Sequence, residues 1–216
     1  MKKNLFIGAL FAGVLTISAT ANAQALSQGS VVVDAYYGFP NLGKSFYKNL
    51  EDASNVEGYK ATGVGPLGIR GEYMISDRIG LGLDVIYNSN RITYIQIDST
   101  YNGNTDSYTV TRNESERLMQ RLRVQARINF HFEVNNPDLD AYFGIGAGTN
   151  NRFRKYWENG VEVNDTYTSG ASNLTLVPVS FRLCTGLRYY FTENIGVNME
   201  IGLGGPLISG GLSMKF

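Results

Sequence analysis

The two residue types best suited to catalysis, histidine and cysteine, each occur once in this chain, as His131 and Cys184. An activated nucleophile needs a neighbouring base, and a zinc site needs several histidine, cysteine or carboxylate ligands. His131 ends an alternating run of residues, and the sequence places no nucleophile beside it within reach of an external substrate. We therefore predict no catalytic residue, no metal site and no cofactor.

Charged side chains recur on the polar face of several alternating segments, as with Arg121, Arg123 and Arg127. If they share one interior, paired and hydrogen-bonded charges would form a network that fills it. Alternatively, the excess of basic over acidic side chains would favour a narrow pathway for anions. The residues concerned are Asp34, Arg70, Glu72, Asp84, Arg121, Arg123, Arg127, Arg182, Arg188, Glu200 and Lys215.

The elements that position these charges are strands, because apolar and polar residues alternate with a period of two. In the segment 118–132 the apolar face includes Leu122, Val124 and Phe130, and the other face carries the arginines. No helix would give that pattern a coherent apolar side. The alternation predicts eight strands, at 31–39, 67–75, 79–87, 118–132, 141–148, 179–191, 195–203 and 208–216.

The start of the chain is typical of an exported protein. Lys2 and Lys3 precede an apolar run at 5–17, and Ala21-Asn22-Ala23 offers the small residues that signal peptidase accepts. We predict a signal peptide at 1–23 and one mature domain at 24–216. Within that domain short turns alternate with long external loops at about 40–63, 88–115 and 150–173.

The orientation of the two strand faces follows from glycines and aromatic residues. Glycines such as Gly144, Gly146 and Gly186 lie on the polar face, and small residues suit the interior of a narrow eight-stranded barrel. Aromatic residues lie near the strand ends of the apolar face, as in the two aromatic girdles of a membrane barrel. We therefore predict an antiparallel up-and-down transmembrane β-barrel with lipid around its apolar face.

The last strand carries a further motif. Its alternate residues Leu212, Met214 and Phe216 resemble the C-terminal β-signal of outer-membrane proteins. The phrases at 144–148 and 188–196 resemble the OmpA/OmpX-like outer membrane protein β-barrel domain family, and the likeness covers residues 26–216. The resemblance implies a bacterial outer-membrane location and the barrel-assembly machinery as a partner. Enzymes among small barrels use serine, histidine and aspartate near the outer rim, whereas His131 lies near the other end.

Two of the predicted external loops have the composition of β-hairpins. Each has an Asn-Gly pair between runs of β-branched and aromatic residues, and such a pair is a strong signal for a hairpin turn. These hairpins predict a projecting sheet that binds an external protein or polymer, or else one that only shields the barrel rim. The candidate binding residues are Tyr94, Asn102, Gly103, Tyr156, Trp157, Asn159 and Gly160.

The function predicted from these observations is structural or one of surface interaction through the projecting hairpins. A narrow anion-preferring pore lined by the interior arginines stays open as the alternative. With 19 basic and 19 acidic residues the chain gives no reason to expect a nucleic-acid partner, so the expected surroundings are outer-membrane lipid.

Overall fold

The computed structural model describes residues 24–42, 44, 56–103, 106–163 and 179–216, so the predicted signal peptide lies outside the described residues. Strands account for most of this part of the chain. They are β1 (Val31–Phe39), β2 (Val56–Ser76), β3 (Ile79–Asn102), β4 (Ser107–Phe132), β5 (Leu139–Thr149), β6 (Asn151–Glu158), β7 (Val161–Glu162), β8 (Val179–Tyr190), β9 (Ile195–Leu203) and β10 (Ile208–Lys215). Among the described residues, no helix has the length and apolar character needed to cross a bilayer.

Eight of these strands close into a ring of antiparallel pairs. The ring runs β1, β2, β3, β4, β5, β8, β9, β10, with β6 and β7 outside it. Pairing of β1 with β10 closes the ring, with Val32 opposite Lys215 and Phe39 opposite Ile208. A closed ring leaves no strand with unpaired backbone groups at an edge. The predicted eight-stranded antiparallel barrel is confirmed.

Burial alternates along the ring strands as the period of two requires. In β8 and β9 every second residue is buried and its neighbours are exposed. The exposed set is mostly apolar, as with Phe181 at 73% exposure, and the buried set consists mainly of charged, polar and small residues, as with Arg188 at 0%. The barrel therefore turns its apolar face outward and its polar face inward, which is the predicted orientation.

Glycine at particular inward positions lets large polar side chains cross the lumen. A Cβ at Gly186 would overlap the ring of Tyr142, which is fully buried. A Cβ at Gly68 would likewise overlap the ring of Tyr36. These close approaches explain why glycine recurs on the inward face of the strands.

Beyond the ring, β3 and β4 continue together as one long hairpin. Their pairing runs without a shift from Ile79 opposite Phe130 to Asn102 opposite Ser107. The part above Tyr87 extends roughly 50 Å along the strand axis. Residues 56–64 of β2 pair with β3, β6 pairs with 115–122 of β4, and β7 pairs with β6. We call this five-stranded extension the external sheet.

The predicted long loops therefore contain much strand. Residues 88–102 and 107–115 of the second loop belong to β3 and β4. The last pair is Asn102 opposite Ser107, so Asn102 belongs to the strand and a two-residue Asn102-Gly103 turn is not formed, while residues 104 and 105 lie outside the described part of the chain. In the third loop β6 and β7 meet at Asn159 and Gly160, whose positive φ angles of 50° and 78° suit a tight hairpin turn. Residues 43, 45–55 and 164–178 lie outside the described part of the chain.

The barrel end opposite the external sheet is covered by residues 24–30. Leu26, 1% exposed, packs in an apolar cluster with Val32, Met74 and Tyr190. The backbone of this segment is held by a hydrogen bond from Gly29 N to Met74 O at 2.9 Å, and Lys215 Nζ donates to the Ala25 carbonyl at 2.9 Å. The segment thus closes that end of the lumen.

Candidate functional site

Most of the predicted interior charges meet in one buried group at the centre of the barrel. The members that are buried are Asp34, Arg70, Glu72, Asp84, Arg127, Arg182, Arg188 and Glu200. They come from six different strands of the ring, each on the inward face of its strand. Arg121, Arg123 and Lys215 are only partly buried and lie nearer the two ends. We call the buried group the interior network.

The interior network has two parts, and the first is centred on Arg188. Its Nη2 donates to Asp34 at 2.9 Å and to Glu72 at 2.6 Å. Its Nη1 donates to Asp140 at 2.8 Å. Three carboxylates thus surround one guanidinium, and a charge taken out of water is tolerable only with such partners.

The second part is centred on Glu200, whose carboxylate accepts hydrogen bonds from three guanidiniums. Arg127 Nη2 donates to it at 2.8 Å, Arg182 Nε donates at 3.0 Å, and Arg70 Nη1 also donates to it. Arg127 Nη1 donates in addition to Asp84 at 3.0 Å. Arg70 Nε donates to Asp34 at 2.8 Å and so links the two parts.

Tyrosine rings fill the space between the charges. The hydroxyl of Tyr142 donates to Glu200 at 2.8 Å, and its ring lies 4.4 Å from the Arg188 guanidinium carbon. The hydroxyl of Tyr36 donates to Asp84 at 2.5 Å. Hydroxyl contacts and cation–π contacts together make the network continuous.

Two further buried residues, Asp140 and His131, also belong to the interior network, and sequence reasoning did not place them there. The His131 ring lies between two carboxylates, with Nδ1 2.6 Å from Asp140 and Nε2 2.9 Å from Glu72. Because ionised carboxylates only accept hydrogen bonds, the two contacts suit an imidazolium with a proton on each ring nitrogen. Four arginines and one imidazolium then face five carboxylates in the described interior, so the predicted excess of positive charge does not extend to the centre of the barrel.

That excess is found at the outer mouth, where the external sheet leaves the ring. Arg121 lies opposite Arg152 in the pairing of β4 with β6. Arg123 follows on the same face of β4, and Arg154 lies opposite Met119. The four arginines line a cavity of about 470 Å³.

Sequence comparison fits this architecture. The profile of the family described as "Outer membrane protein beta-barrel domain" matches residues 7–209. This chain belongs to that family. The predicted family and the predicted location in the bacterial outer membrane are confirmed. A comparison with curated proteins gave no significant match.

Solved structures of similar fold include two outer-membrane proteins of Pseudomonas aeruginosa. The N-terminal β-barrel domain of OprF is 15% identical, with 88% of this chain and 100% of that chain covered and a TM-score of 0.40. OprG is 14% identical, with 90% and 99% covered and a TM-score of 0.43. A chain from a study of de novo designed transmembrane β-barrels is 15% identical, with 88% and 98% covered and a TM-score of 0.42.

As an outer-membrane barrel, the protein presents its exposed apolar face to lipid. Aromatic residues near the strand ends of this face include Phe39, Phe191 and Phe216, which are 69%, 57% and 71% exposed. The predicted β-signal residues Leu212 and Met214 point outward on the same face, at 55% and 44%. On the inward side Lys215 lies 4.4 Å from the centre of the Tyr190 ring.

The candidate binding residues of this outer-membrane barrel lie on the external sheet. Tyr94 on β3 stacks on Tyr59 of β2 with ring centres 6.5 Å apart. The Tyr156 hydroxyl lies 3.1 Å from Ser115 Oγ on β4, and Trp157 has Lys155 Nζ 5.8 Å from its ring. Tyr94, Tyr156 and Trp157 are each partly exposed. Asn102 is the last residue of β3, whereas Gly103, Asn159 and Gly160 lie in turns.

Proposed function

We propose that this outer-membrane barrel is a sealed membrane anchor whose external sheet binds a partner outside the cell. The observation that carries the proposal is the pairing of β3 with β4 well past the ring, joined by β2, β6 and β7. A rigid sheet raised above the membrane is a costly structure unless it contacts something, because its residues are ordered without a buried core.

The packing of the lumen supports an anchor in preference to a pore. The side chains of Arg127 and Arg188 are 0% exposed, and their guanidiniums form ion pairs with carboxylates. A conducting path would need an opening between such groups, and an eight-stranded barrel has an interior that side chains fill.

Ion pairs between strands support a rigid external sheet. Arg112 of β4 lies 3.3 Å from Glu57 of β2, on the far side of β3. Arg91 and Glu116 are paired at 3.2 Å, and Lys155 and Glu162 at 3.3 Å. Exposed pairs of this kind are individually weak, but they fix the register of neighbouring strands.

Exposed aromatic residues and a strand edge support binding. Tyr101 and Tyr108 flank the hairpin tip with ring centres 5.1 Å apart and are 52% and 71% exposed. Tyr101 also donates a hydrogen bond to Asp106 at 2.7 Å, which raises the pKa of Tyr101. Along 56–64 of β2, no described strand pairs on the side away from β3. Such an edge can accept a strand from another polypeptide.

Two variants of the hairpin separate binding from shielding of the rim. The first replaces 92–117 by Asn-Gly and removes the hairpin top. The second keeps the full length but carries Tyr94→Thr, Tyr101→Thr and Tyr108→Thr. The readout is binding of the protein in lipid nanodiscs to arrays of surface polysaccharides and extracellular proteins, together with attachment of cells that display it.

If the sheet binds a partner, both variants lose binding to that partner. If the sheet only shields the rim, only the first variant, which lacks the hairpin top, differs from the wild type. Retention of heat-dependent gel mobility shows that each barrel is folded. Unchanged array binding and attachment in the shortened variant would refute the proposal.

A further inference from the structure

The outer mouth brings four arginines together around one cavity. Arg121 and Arg123 on β4 and Arg152 and Arg154 on β6 line the cavity of about 470 Å³, and we call this group the arginine vestibule. Residues of one strand that are two apart share a face, so Arg121 and Arg123 point the same way. The register places Arg152 directly across from Arg121.

Among the described residues this arrangement is unfavourable for Arg121 and Arg152. Like charges directly opposite each other on paired strands are destabilising. Among the described residues, no carboxylate oxygen lies within 4.0 Å of the guanidinium nitrogens of Arg121, Arg123 or Arg152. By contrast, Arg91 and Arg112 on the same external sheet have Glu116 and Glu57 as partners.

Two buried hydrogen-bond donors close to the vestibule lack partners, and one of them belongs to Arg123, which lines the cavity. Nε of Arg123 is buried and has no hydrogen-bond partner among the described atoms, and the same is true of Nη1 of Arg182. Arg182 is only 3% exposed. Its Nη1 occupies the place where a Cβ of Gly205 would stand, and Gly205 lines the cavity. Unmade hydrogen bonds of buried donors cost free energy, so such donors often mark the place of a ligand.

We propose that the arginine vestibule binds a phosphate-bearing ligand. Guanidinium groups form paired hydrogen bonds to phosphate oxygens, and arginine is the residue best shaped for this contact. Several arginines from two strands favour a group with two or more negative charges, because one carboxylate would leave most of the repulsion in place. A cavity of about 470 Å³ also has room for a sugar-sized moiety beside the phosphate.

The bound group stops at the vestibule and does not enter the barrel. Directly below it Arg182 Nε donates to Glu200 at 3.0 Å, and Arg127 joins Glu200 to Asp84. The vestibule is therefore a binding site at the cell surface, and the proposal does not depend on the external sheet binding a partner.

Titration of inorganic pyrophosphate into the protein in phosphatidylcholine nanodiscs tests the proposal by calorimetry. The double variant Arg121→Gln, Arg152→Gln is expected to bind pyrophosphate at least about tenfold more weakly, since it loses charge-assisted hydrogen bonds. The matched control Arg91→Gln, Arg112→Gln removes the same charge from the external sheet and is expected to change affinity by less than about threefold. Heat-dependent gel mobility shows that both variants are folded.

A second arm identifies the source of the phosphate. Nanodiscs that contain phosphatidic acid are examined by native mass spectrometry for retained lipid. Retention by the wild type, displacement by pyrophosphate and loss in the vestibule variant indicate a lipid headgroup; pyrophosphate binding without lipid retention indicates a soluble ligand. Absence of both, or equal weakening by the control pair, overturns the proposal.

Discussion

Replacing Glu200 by glutamine removes one negative charge from the place where three arginines converge. Arg70, Arg127 and Arg182 all donate to this carboxylate, whose side chain is 0% exposed. The amide of glutamine keeps one acceptor oxygen and turns donor hydrogens toward the guanidiniums. Breaking a buried ion pair by removing one partner costs about 3–5 kcal/mol, because the remaining charge stays buried without a counter-charge.

The expected loss is a large part of the whole stability, since proteins unfold with about 5–15 kcal/mol. With a urea dependence of about 2 kcal/mol per molar, a loss of about 4 kcal/mol lowers the unfolding midpoint by about 2 M. The assay is equilibrium unfolding in urea in lipid vesicles, followed by tryptophan fluorescence and by gel mobility without boiling.

Glu133→Gln is the matched control because it breaks an exposed ion pair. Arg78 and Glu133 are paired at the barrel end but are 66% and 40% exposed. An exposed pair contributes about 0–1 kcal/mol, so the midpoint should move by less than about 0.5 M.

Adding Arg182→Met to Glu200→Gln should recover at least about 1 kcal/mol, because Arg182 loses its main partner in the single variant. If Glu200→Gln shifted the midpoint no more than Glu133→Gln, the reasoning that the interior network holds the barrel together would be refuted.

Three other predictions follow from the packing. Gly186→Ala should destabilise the barrel by about 1–3 kcal/mol in the same unfolding assay, because the new Cβ overlaps Tyr142. Gly71→Ala is the control and should have little effect, because a Cβ at Gly71 meets nothing within 4 Å. Met199→Arg places a charge on the lipid-facing surface at the middle of β9, where the side chain is 52% exposed, and should lower the free energy of unfolding by about 2–4 kcal/mol. Phe39→Arg, at the outer end of β1, should lower it by only about 0–1 kcal/mol. Equal losses for the two variants would contradict the membrane placement. The wild-type protein in planar bilayers should show no unitary conductance, and a sustained anion-selective current would contradict the sealed interior.

The barrel was predictable from the sequence because side-chain direction along a strand is a local property. Alternation at 118–132 already separates Val124 and Ile128 from Arg123 and Arg127, whatever the neighbouring strands are. The same rule predicted that the apolar residues face outward, once glycine on the polar face indicated a narrow interior.

The chemistry of the interior was harder to predict because it depends on depth and register. Arg123 and Arg127 share one face of β4, yet Arg127 is buried among carboxylates and Arg123 lies at the mouth. Asp140 precedes the alternating run of its strand, and its role appears only when the register sets it opposite Arg188. The register of β6 on β4, which creates the arginine vestibule, was likewise hidden because a loop permits many registers.

The interior network joins residues that are far apart along the chain. Asp34 in the first strand accepts hydrogen bonds from Arg188, 154 positions later, and from Ser213, 179 positions later. Glu200 accepts one from Arg70, 130 positions earlier. An incompletely inserted barrel, with the last strands undocked, would hold these charges without their partners. Assembly is therefore cooperative, since partly built forms are penalised and only the finished ring neutralises its own lumen.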